Sequence, residues 1–176
     1  LYQTANIFVP IDITGTNSAL DRVGYIWENT FITSNFKEGN AVFQDKVAVV
    51  TGGARGIGKV ICTEFEKSGA HVCPIDKLPN EYFVGDIADK NTLQAFADKV
   101  IRDYGKVDYL INNAALSLGG IEDCTYEEFN YCLQVGVAAP FMLAKLFRNY
   151  FSESAAIVNI SSTRDRMSQP NTESYT

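Results

Sequence analysis

The chain has 176 residues, of which 46% are hydrophobic and 20% charged, so it can bury the core of one domain with an appendage. Its formal net charge is −6 without a run of like charges, so a nucleic-acid partner is not expected. No apolar run approaches the roughly 18 residues that a membrane span requires, and no signal peptide is visible at the start. We therefore expect a cytoplasmic protein without a membrane partner. The sequence does not begin with Met, so residue 1 is not expected to be the natural start.

The first 44 residues are predicted to form an appendage whose role the sequence does not indicate. The stretch "NIFVPIDIT" is typical of a strand, residues 17–31 have apolar side chains at helical spacing, and residues 32–44 are predicted to be a linker. The stretch "FVPIDIT" resembles "YFVGDIA" at 82–88. This similarity indicates either a repeated strand–helix unit or a chance match.

After the linker, short apolar runs alternate with helical patterns. Gly69 and Gly105 are placed to end two helices, Thr125 and Glu128 form a capping box that begins a third, and Pro140 should bend or disturb that third helix. The predicted strands cover residues 46–50, 71–75, 82–84, 107–111 and 155–160, and the predicted helices cover 58–69, 91–105 and 125–151.

Continuous apolar strands separated by helices predict an α/β fold with a parallel sheet covered on both faces. We assign it to residues 45–176. One connection departs from this pattern, because only ten positions separate Asp76 from Asp86, and a parallel crossover usually needs a dozen or more residues. This link must be a bare loop, or the third strand is barely a strand.

The four cysteines are predicted to be free thiols. Cys62, Cys73, Cys124 and Cys132 form no CxxC pair, and His71 is the single histidine, so no metal site is expected. Free thiols fit a reducing cytoplasm.

The stretch "VAVVTGGARGIGKV" places glycines between the first strand and the first helix. Gly52, Gly56 and Gly58 suit a tight turn that a phosphate can approach without meeting a Cβ atom. The N-terminus of the following helix offers unpaired N–H groups and a partial positive charge to a pyrophosphate. Arg55 and Ile57 lie in the same loop, where Arg55 is either solvated or flanks a phosphate.

An acidic residue follows at the position expected for ribose recognition. Asp76 ends the second strand 18 residues after Gly58. A carboxylate there accepts hydrogen bonds from a ribose 2′-hydroxyl and repels a 2′-phosphate, which favours NAD over NADP. Lys77 beside it weakens this preference, since a nearby cation could accommodate a 2′-phosphate. The plainer alternative is that Asp76 only solvates a loop.

Five ordered motifs resemble the short-chain dehydrogenase/reductase family over roughly residues 43–176. They are the TGxxxGxG glycine loop, "GDIA", "INNAAL", "IVNISS" and "ESY". The resemblance implies a Rossmann-type doubly wound sheet with strand order 3-2-1-4-5 and a bound NAD(P), for which Asp76 favours NAD. Outside the glycine loop, it implies that the cofactor contacts Asp86, Ile87, Asn113, Ala114 and Ala115. Asp76, described above, belongs to the same predicted site.

The resemblance also implies a catalytic pair. Tyr175 follows Ser162 by thirteen residues, which is the family's usual spacing. By resemblance, Tyr175 is a general acid/base and Ser162 orients the oxygen of an alcohol or carbonyl substrate during hydride transfer. A free tyrosine has a pKa of about 10, so it needs a nearby cation to favour the phenolate. The plainer alternatives are a strand-end hydroxyl and a surface ring.

Two departures from the family's pattern stand out. The family's Asn three residues before a glycine on the long helix is replaced here by Leu133, with Gln134 one position further round the helix. The family's lysine would fall at position 179, beyond the last residue, so we expect the chain to be the N-terminal part of a longer protein. The fifth strand would then be an open edge.

The sequence therefore supports two functions. One is a short-chain oxidoreductase that is active in its complete form, and the other is a dinucleotide-binding module without catalysis. By resemblance, the first would assemble as a homodimer or homotetramer through residues 125–151.

Overall fold

The computed structural model describes residues 3–7, 24–27, 30–33, 42–167 and 169–175. In chain order the strands are β1 (Gln3–Ile7), β2 (Gly24–Trp27), β3 (Thr30–Thr33), β4 (Val47–Thr51), β5 (His71–Asp76), β6 (Phe83–Val84), β7 (Val107–Asn112) and β8 (Phe151–Ile160). The helices are α1 (Gly56–Lys67), α2 (Lys90–Tyr104), α3 (Tyr126–Leu133) and α4 (Ala139–Phe147), with a π-helical turn at Gln134–Ala138 and a 3₁₀ turn at Thr163–Asp165.

Six parallel strands form the central sheet in the order β1-β8-β7-β4-β5-β6. Without β1, this is the predicted order 3-2-1-4-5, which is confirmed. β4 lies at the centre, where Val49 is paired with Cys73 on one side and Leu110 on the other. The chain therefore has the doubly wound α/β fold that the sequence predicted.

The central strand β4 is buried on both faces, as its unbroken apolar run requires. Val47 and Val49 belong to the core cluster that contains Phe96 of α2 and Leu143 of α4. Their neighbours Ala48 and Val50 belong to a second cluster with Cys62 of α1. Alternate side chains of one strand therefore fill two separate cores, and helices cover both faces of the sheet.

The helix ends follow the sequence signals. Gly69 and Gly105 have left-handed φ angles of 89° and 68° after α1 and α2, and the capping box of Thr125 and Glu128 begins α3. Pro140 is the second residue of α4, two positions after the end of the π-helical turn. Because proline has no N–H, it cannot donate to the carbonyl of Gly136, and the helix is disturbed at that point as predicted.

The edge of the sheet differs from the prediction. β1 pairs in parallel with β8, from Gln3 opposite Ala156 to Ile7 opposite Ile160, so the expected open edge on the fifth strand is wrong. The backbone groups of β8 find partners on both sides, and β8 begins at Phe151 rather than at position 155. A segment outside the predicted domain thus adds a sixth strand to its sheet.

The helix predicted for residues 17–31 is also wrong wherever the structure describes this region. β2 and β3 form an antiparallel pair, with Gly24 opposite Thr33 and Trp27 opposite Thr30. The aromatic and β-branched residues of "GYIW" and "TFIT" favour strands over helices. The other parts of these predictions lie outside the described residues. They are the rest of the predicted helix, most of the predicted first strand, most of the linker, and the "FVPIDIT" segment.

The link between β5 and β6 is a loop without a helix, and β6 has only two residues, as the short spacing from Asp76 to Asp86 required. Within the described ranges, no helix combines the length and apolar character needed to cross a bilayer.

Asp108 is a buried carboxylate that joins three strands at their amino ends. It accepts hydrogen bonds from the Val47 N–H (2.9 Å) and the Ser152 hydroxyl (2.8 Å), and the ammonium groups of Lys106 and Lys46 lie 3.1 and 3.3 Å away. Burial opposes its ionisation, but these partners outweigh burial and hold the pKa of Asp108 below its usual range.

Asp108→Asn should lower the free energy of unfolding by about 2 kcal/mol at neutral pH, since charge-assisted hydrogen bonds are lost. Because the folded pKa is depressed, this stabilisation is complete above the unfolded pKa of about 3.9 and disappears as the pH falls through the folded pKa. Urea unfolding of both proteins at neutral pH and near pH 3 measures the difference. A difference that is the same at both pH values would contradict this role of the charge.

Candidate active site

A cleft of about 930 Å³ opens at the carboxyl ends of the parallel strands. Parallel α/β sheets bind their ligands in this position. Every predicted site residue except Gly58 lines it, namely Gly52, Arg55, Gly56, Ile57, Asp76, Asp86, Ile87, Asn113, Ala114, Ala115, Ser162 and Tyr175. The fold therefore brings segments up to 123 positions apart into one cavity.

The glycine loop has the conformation that its residues suggested. Gly52 and Gly56 have φ angles of 69° and 56°, in the region that disfavours other residues. Within the described chain, no side chain caps α1 at Arg55, so the first N–H groups of this helix are available to an anion. The glycine loop and helix end thus fit a pyrophosphate.

Gly58 has a packing role beneath the loop. A Cβ atom there would collide with the Gly52 carbonyl and come within 2.5 Å of the Asn113 side-chain nitrogen. Only glycine allows α1 to pack this closely against the loop.

Asn113 joins the glycine loop to the end of β7. Its side-chain nitrogen donates to the carbonyls of Thr51 (3.0 Å) and Gly52 (3.2 Å). The Thr51 hydroxyl accepts hydrogen bonds from the N–H groups of Asn113 and Ala114, both at 3.0 Å. The Asn113 amide is therefore engaged in holding the loop. The hydrogen bonds of the Thr51 hydroxyl were not predicted from the sequence.

Asp76 lies at the carboxyl end of β5 with its carboxylate fixed from two sides. Oδ2 accepts a hydrogen bond from the Ala54 N–H, and Oδ1 accepts one from the Leu78 N–H, each at 3.0 Å. Each oxygen keeps a second lone pair that can accept from a ligand hydroxyl.

Asp86 and Ile87 follow β6 and form another part of the cleft. Asp86 Oδ1 accepts from the Ala88 N–H, and Oδ2 accepts from the Tyr131 hydroxyl at 2.7 Å. Burial opposes ionisation of Asp86, but the Ala88 N–H, Tyr131 and Lys77 outweigh it and lower the pKa of this carboxyl. Tyr131 lies on α3, 45 positions from Asp86, and was not predicted as a site residue.

Ser162 and Tyr175 line both the main cleft and a smaller adjoining cavity of about 270 Å³. Ser162 follows β8 and accepts a hydrogen bond from the Arg164 N–H through its hydroxyl (3.2 Å). Tyr175 is 37% exposed. The two hydroxyl-bearing residues thus share a surface with Ala114 and Ala115, at the end of the cleft away from Asp86.

The segment that carries Tyr175 is held by the loop after β7. The Ser174 hydroxyl accepts from the Leu118 N–H at 3.1 Å, and the Glu173 carboxylate accepts from the Ile121 N–H at 3.2 Å. The Arg164 guanidinium lies 5.9 Å from the centroid of the Tyr175 ring. These contacts hold the two residues before the tyrosine against the loop after β7.

Leu133, at the position where the family has its asparagine, is 43% exposed and is absent from the lining of both cavities. Gln134 begins the π-helical turn and is likewise absent from both linings.

Among the residues that the structure describes, no group of three or more His, Cys, Asp or Glu side chains is arranged to hold a metal ion.

The fold and the cleft define a nucleotide-binding α/β protein of the dehydrogenase type. The family model described as short chain dehydrogenase matches residues 46–176, and the chain belongs to this family.

Two curated relatives illustrate the similarity. An uncharacterized oxidoreductase of Thermotoga maritima is 32% identical over 153 residues, which cover 76% of this chain and 60% of that protein. The D-threitol dehydrogenase of Mycolicibacterium smegmatis is 28% identical over 136 residues, which cover 66% and 52%. The chain thus spans between half and two thirds of the length of these relatives.

The chain is also similar to solved structures. An apo SCOR enzyme from Clostridium thermocellum is 38% identical with a TM-score of 0.69, over 74% of this chain and 59% of that one. A blue fluorescent protein from a metagenomic library, solved in complex with NADPH, is 25% identical with a TM-score of 0.69, over 76% and 62%. NAD(P) is therefore the cofactor class of the family, and the comparisons do not favour NAD over NADP.

Proposed function

We propose that this chain carries the cofactor site and the catalytic pair of an oxidoreductase that transfers a hydride between NAD(P) and a secondary alcohol or ketone. One observation carries this proposal: Ser162 and Tyr175 line the same cleft as the glycine loop and Asp76. The name of the D-threitol dehydrogenase relative supports an alcohol as substrate.

The described residues fit a dinucleotide. The glycine loop and the first turn of α1 would hold the pyrophosphate, Asp76 the adenosine ribose, and Asp86 with Ile87 the adenine. Ala114 and Ala115 leave room for a ring between the loop and Ser162. The bound nicotinamide supplies the hydride acceptor or donor.

The proposed catalytic roles follow from the chemistry of two hydroxyl groups. The Ser162 hydroxyl donates a hydrogen bond to the substrate oxygen and orients it. The Tyr175 phenolate accepts the hydroxyl proton of the alcohol during oxidation, and the resulting phenol returns that proton to the oxygen when the ketone is reduced. By family resemblance, a lysine four residues after Tyr175 would support the phenolate.

We propose NAD rather than NADP on the basis of Asp76 alone. Its carboxylate, oriented by two backbone N–H groups, can accept from ribose hydroxyls and repels a 2′-phosphate. The free cysteines Cys62, Cys73, Cys124 and Cys132 support a reducing, cytoplasmic location.

A second candidate function is a dinucleotide-binding module without catalysis. Leu133 favours it, because its apolar side chain cannot replace the family's asparagine in a proton relay.

An assay of the 176-residue chain beside a form that continues past Thr176 tests these functions. Both are tested for NADH formation with a panel of secondary alcohols, polyols included. We expect turnover in the longer form and negligible turnover in the shorter one. NAD binding without turnover in the longer form would support the binding module instead.

Self-association through the long helical segment is also proposed. Large apolar side chains at spacings of three and four residues are exposed along one side of it, at Tyr126, Phe129, Leu133, Val137 and Phe141. An exposed stripe of this length is typical of a protein interface. A homodimer or homotetramer would bury it.

Val137→Glu should weaken this association at least about tenfold, because a charge would be buried without a partner. Val60→Glu is the matched control, since Val60 is an exposed valine on α1, outside the stripe. Sedimentation over a range of concentrations measures both. A wild-type monomer at high concentration would contradict the interface, and so would equal effects of the two substitutions.

A further inference from the structure

Three side chains form a closed network on the rim of the cleft. Lys77 Nζ donates to the Tyr131 hydroxyl at 2.8 Å and lies 3.3 Å from Asp86 Oδ2. The Tyr131 hydroxyl in turn donates to the same Asp86 oxygen at 2.7 Å. The network joins the end of β5, the segment after β6, and α3, and all three residues line the cleft.

This network determines where the Lys77 ammonium lies. Lys77 is adjacent in sequence to Asp76, yet within the described parts of the chain its ion pair is with Asp86. The ammonium also lies 5.1 Å from the centroid of the Tyr131 ring. The Asp76 carboxylate is engaged separately, by the N–H groups of Ala54 and Leu78.

If the Lys77 ammonium were free to move, the relative affinity of the cleft for NAD and NADP would change. A ribose 2′-phosphate carries between one and two negative charges near neutral pH, and close to Asp76 it needs a positive partner. Lys77 and Arg55 are the cationic side chains that line the cleft. An ammonium held by a carboxylate and a hydroxyl has to weaken these contacts to move toward that phosphate.

We propose that Tyr131 and Asp86 act together as a selectivity element for the dinucleotide, by holding Lys77 away from the 2′ position of the adenosine ribose. Tyr131 is central to it, because its hydroxyl accepts from Lys77 and donates to Asp86, so that one group orients both charges. This inference rests on the proposed function, since it requires a dinucleotide in the cleft.

Calorimetric titration of the 176-residue chain with NAD and with NADP tests it through the ratio of the two dissociation constants. An effect on adenine binding alone cancels in this ratio, because the adenine is common to both ligands. Asp86→Asn removes the carboxylate charge and should shift the ratio toward NADP about tenfold. Tyr131→Phe should shift it in the same direction by about threefold.

Asp86→Asn could change the ratio of dissociation constants in two ways, by releasing the Lys77 ammonium or simply by removing the negative charge of Asp86. A second measurement distinguishes the two. The shift caused by Asp86→Asn is measured again in the Lys77→Met background, where there is no ammonium to release. We expect most of the shift to be absent there. Lys77→Met alone should change the NADP dissociation constant by less than about twofold.

The chain offers a matched control in a second network of the same three residue types. Lys99 Nζ lies 2.5 Å from Asp103 Oδ2 and 4.1 Å from the centroid of the Tyr82 ring, and the Tyr82 hydroxyl donates to Asp103 at 2.9 Å. None of these three residues lines the cleft. Asp103→Asn should therefore leave the ratio unchanged.

The outcomes separate the two proposals. If neither NAD nor NADP binds the wild-type chain, the proposed function fails, and this inference with it. If both bind but Asp86→Asn leaves the ratio unchanged, or shifts it equally in the Lys77→Met background, the selectivity element is overturned and the cofactor site stands. A more than tenfold loss of NADP affinity in Lys77→Met would show that Lys77 reads the phosphate, and would also overturn it.

Discussion

Replacing Tyr175 by phenylalanine is expected to lower the rate of secondary-alcohol oxidation by about 10²–10⁴-fold, the usual contribution of a general acid/base. The change removes one oxygen atom, so NAD binding should stay within about twofold of the wild-type value. The rate is measured as NADH formation in the form of the protein that turns over.

Tyr150→Phe is the control for this substitution. Tyr150 is 38% exposed, close to the 37% of Tyr175, but it precedes β8 at the opposite end of the sheet. It should keep full activity. Ser162→Ala should cost about 10²–10³-fold, as expected for an orienting donor. Activity of Tyr175→Phe equal to the wild type would remove the tyrosine from the mechanism.

The second large effect is expected at Gly58, where alanine should abolish measurable NAD binding and lower the free energy of unfolding by about 1–3 kcal/mol. The new Cβ atom would collide with the Gly52 carbonyl and crowd the Asn113 amide, so the loop would have to move. Calorimetric titration and urea unfolding measure the two effects.

Gly136→Ala provides the comparison for Gly58→Ala. A Cβ atom at Gly136 meets nothing within 4 Å, and the residue does not have a positive φ angle. Alanine there should leave NAD binding intact and unfolding unchanged within about 0.5 kcal/mol. If Gly58→Ala bound NAD as well as Gly136→Ala does, the close approach of α1 to the loop would have no role in binding.

Local signals account for the part of the fold that the sequence predicts well. Glycines with left-handed φ angles end α1 and α2, a capping box begins α3, and the apolar run of β4 is buried on both faces. Each of these depends on neighbouring residues, so the pattern alone is informative. The same holds for the glycine loop, whose φ angles follow from its composition.

Pairings between distant segments account for what the sequence did not predict. The second partner of β8, besides β7, is β1, about 150 positions away, and the side-chain pattern of β8 does not indicate which segment pairs with it. The prediction of a helix for residues 17–31 was wrong because the four-residue spacing of Val23 and Trp27 is compatible with a strand as well as with a helix. Tyr131 was missed because a tyrosine on a helix gives no signal until the fold brings it to Asp86.

The central claim is that the cleft at the carboxyl ends of the strands binds a nicotinamide dinucleotide. Its most direct test is a titration of the 176-residue chain with NAD, followed residue by residue in heteronuclear NMR spectra of the backbone amides. The account predicts saturable shifts concentrated at Gly52–Ile57, at Asp76, at Asp86 with Ile87, and at Ala114 with Ala115. Saturable shifts on another surface, or none at millimolar NAD, would contradict it.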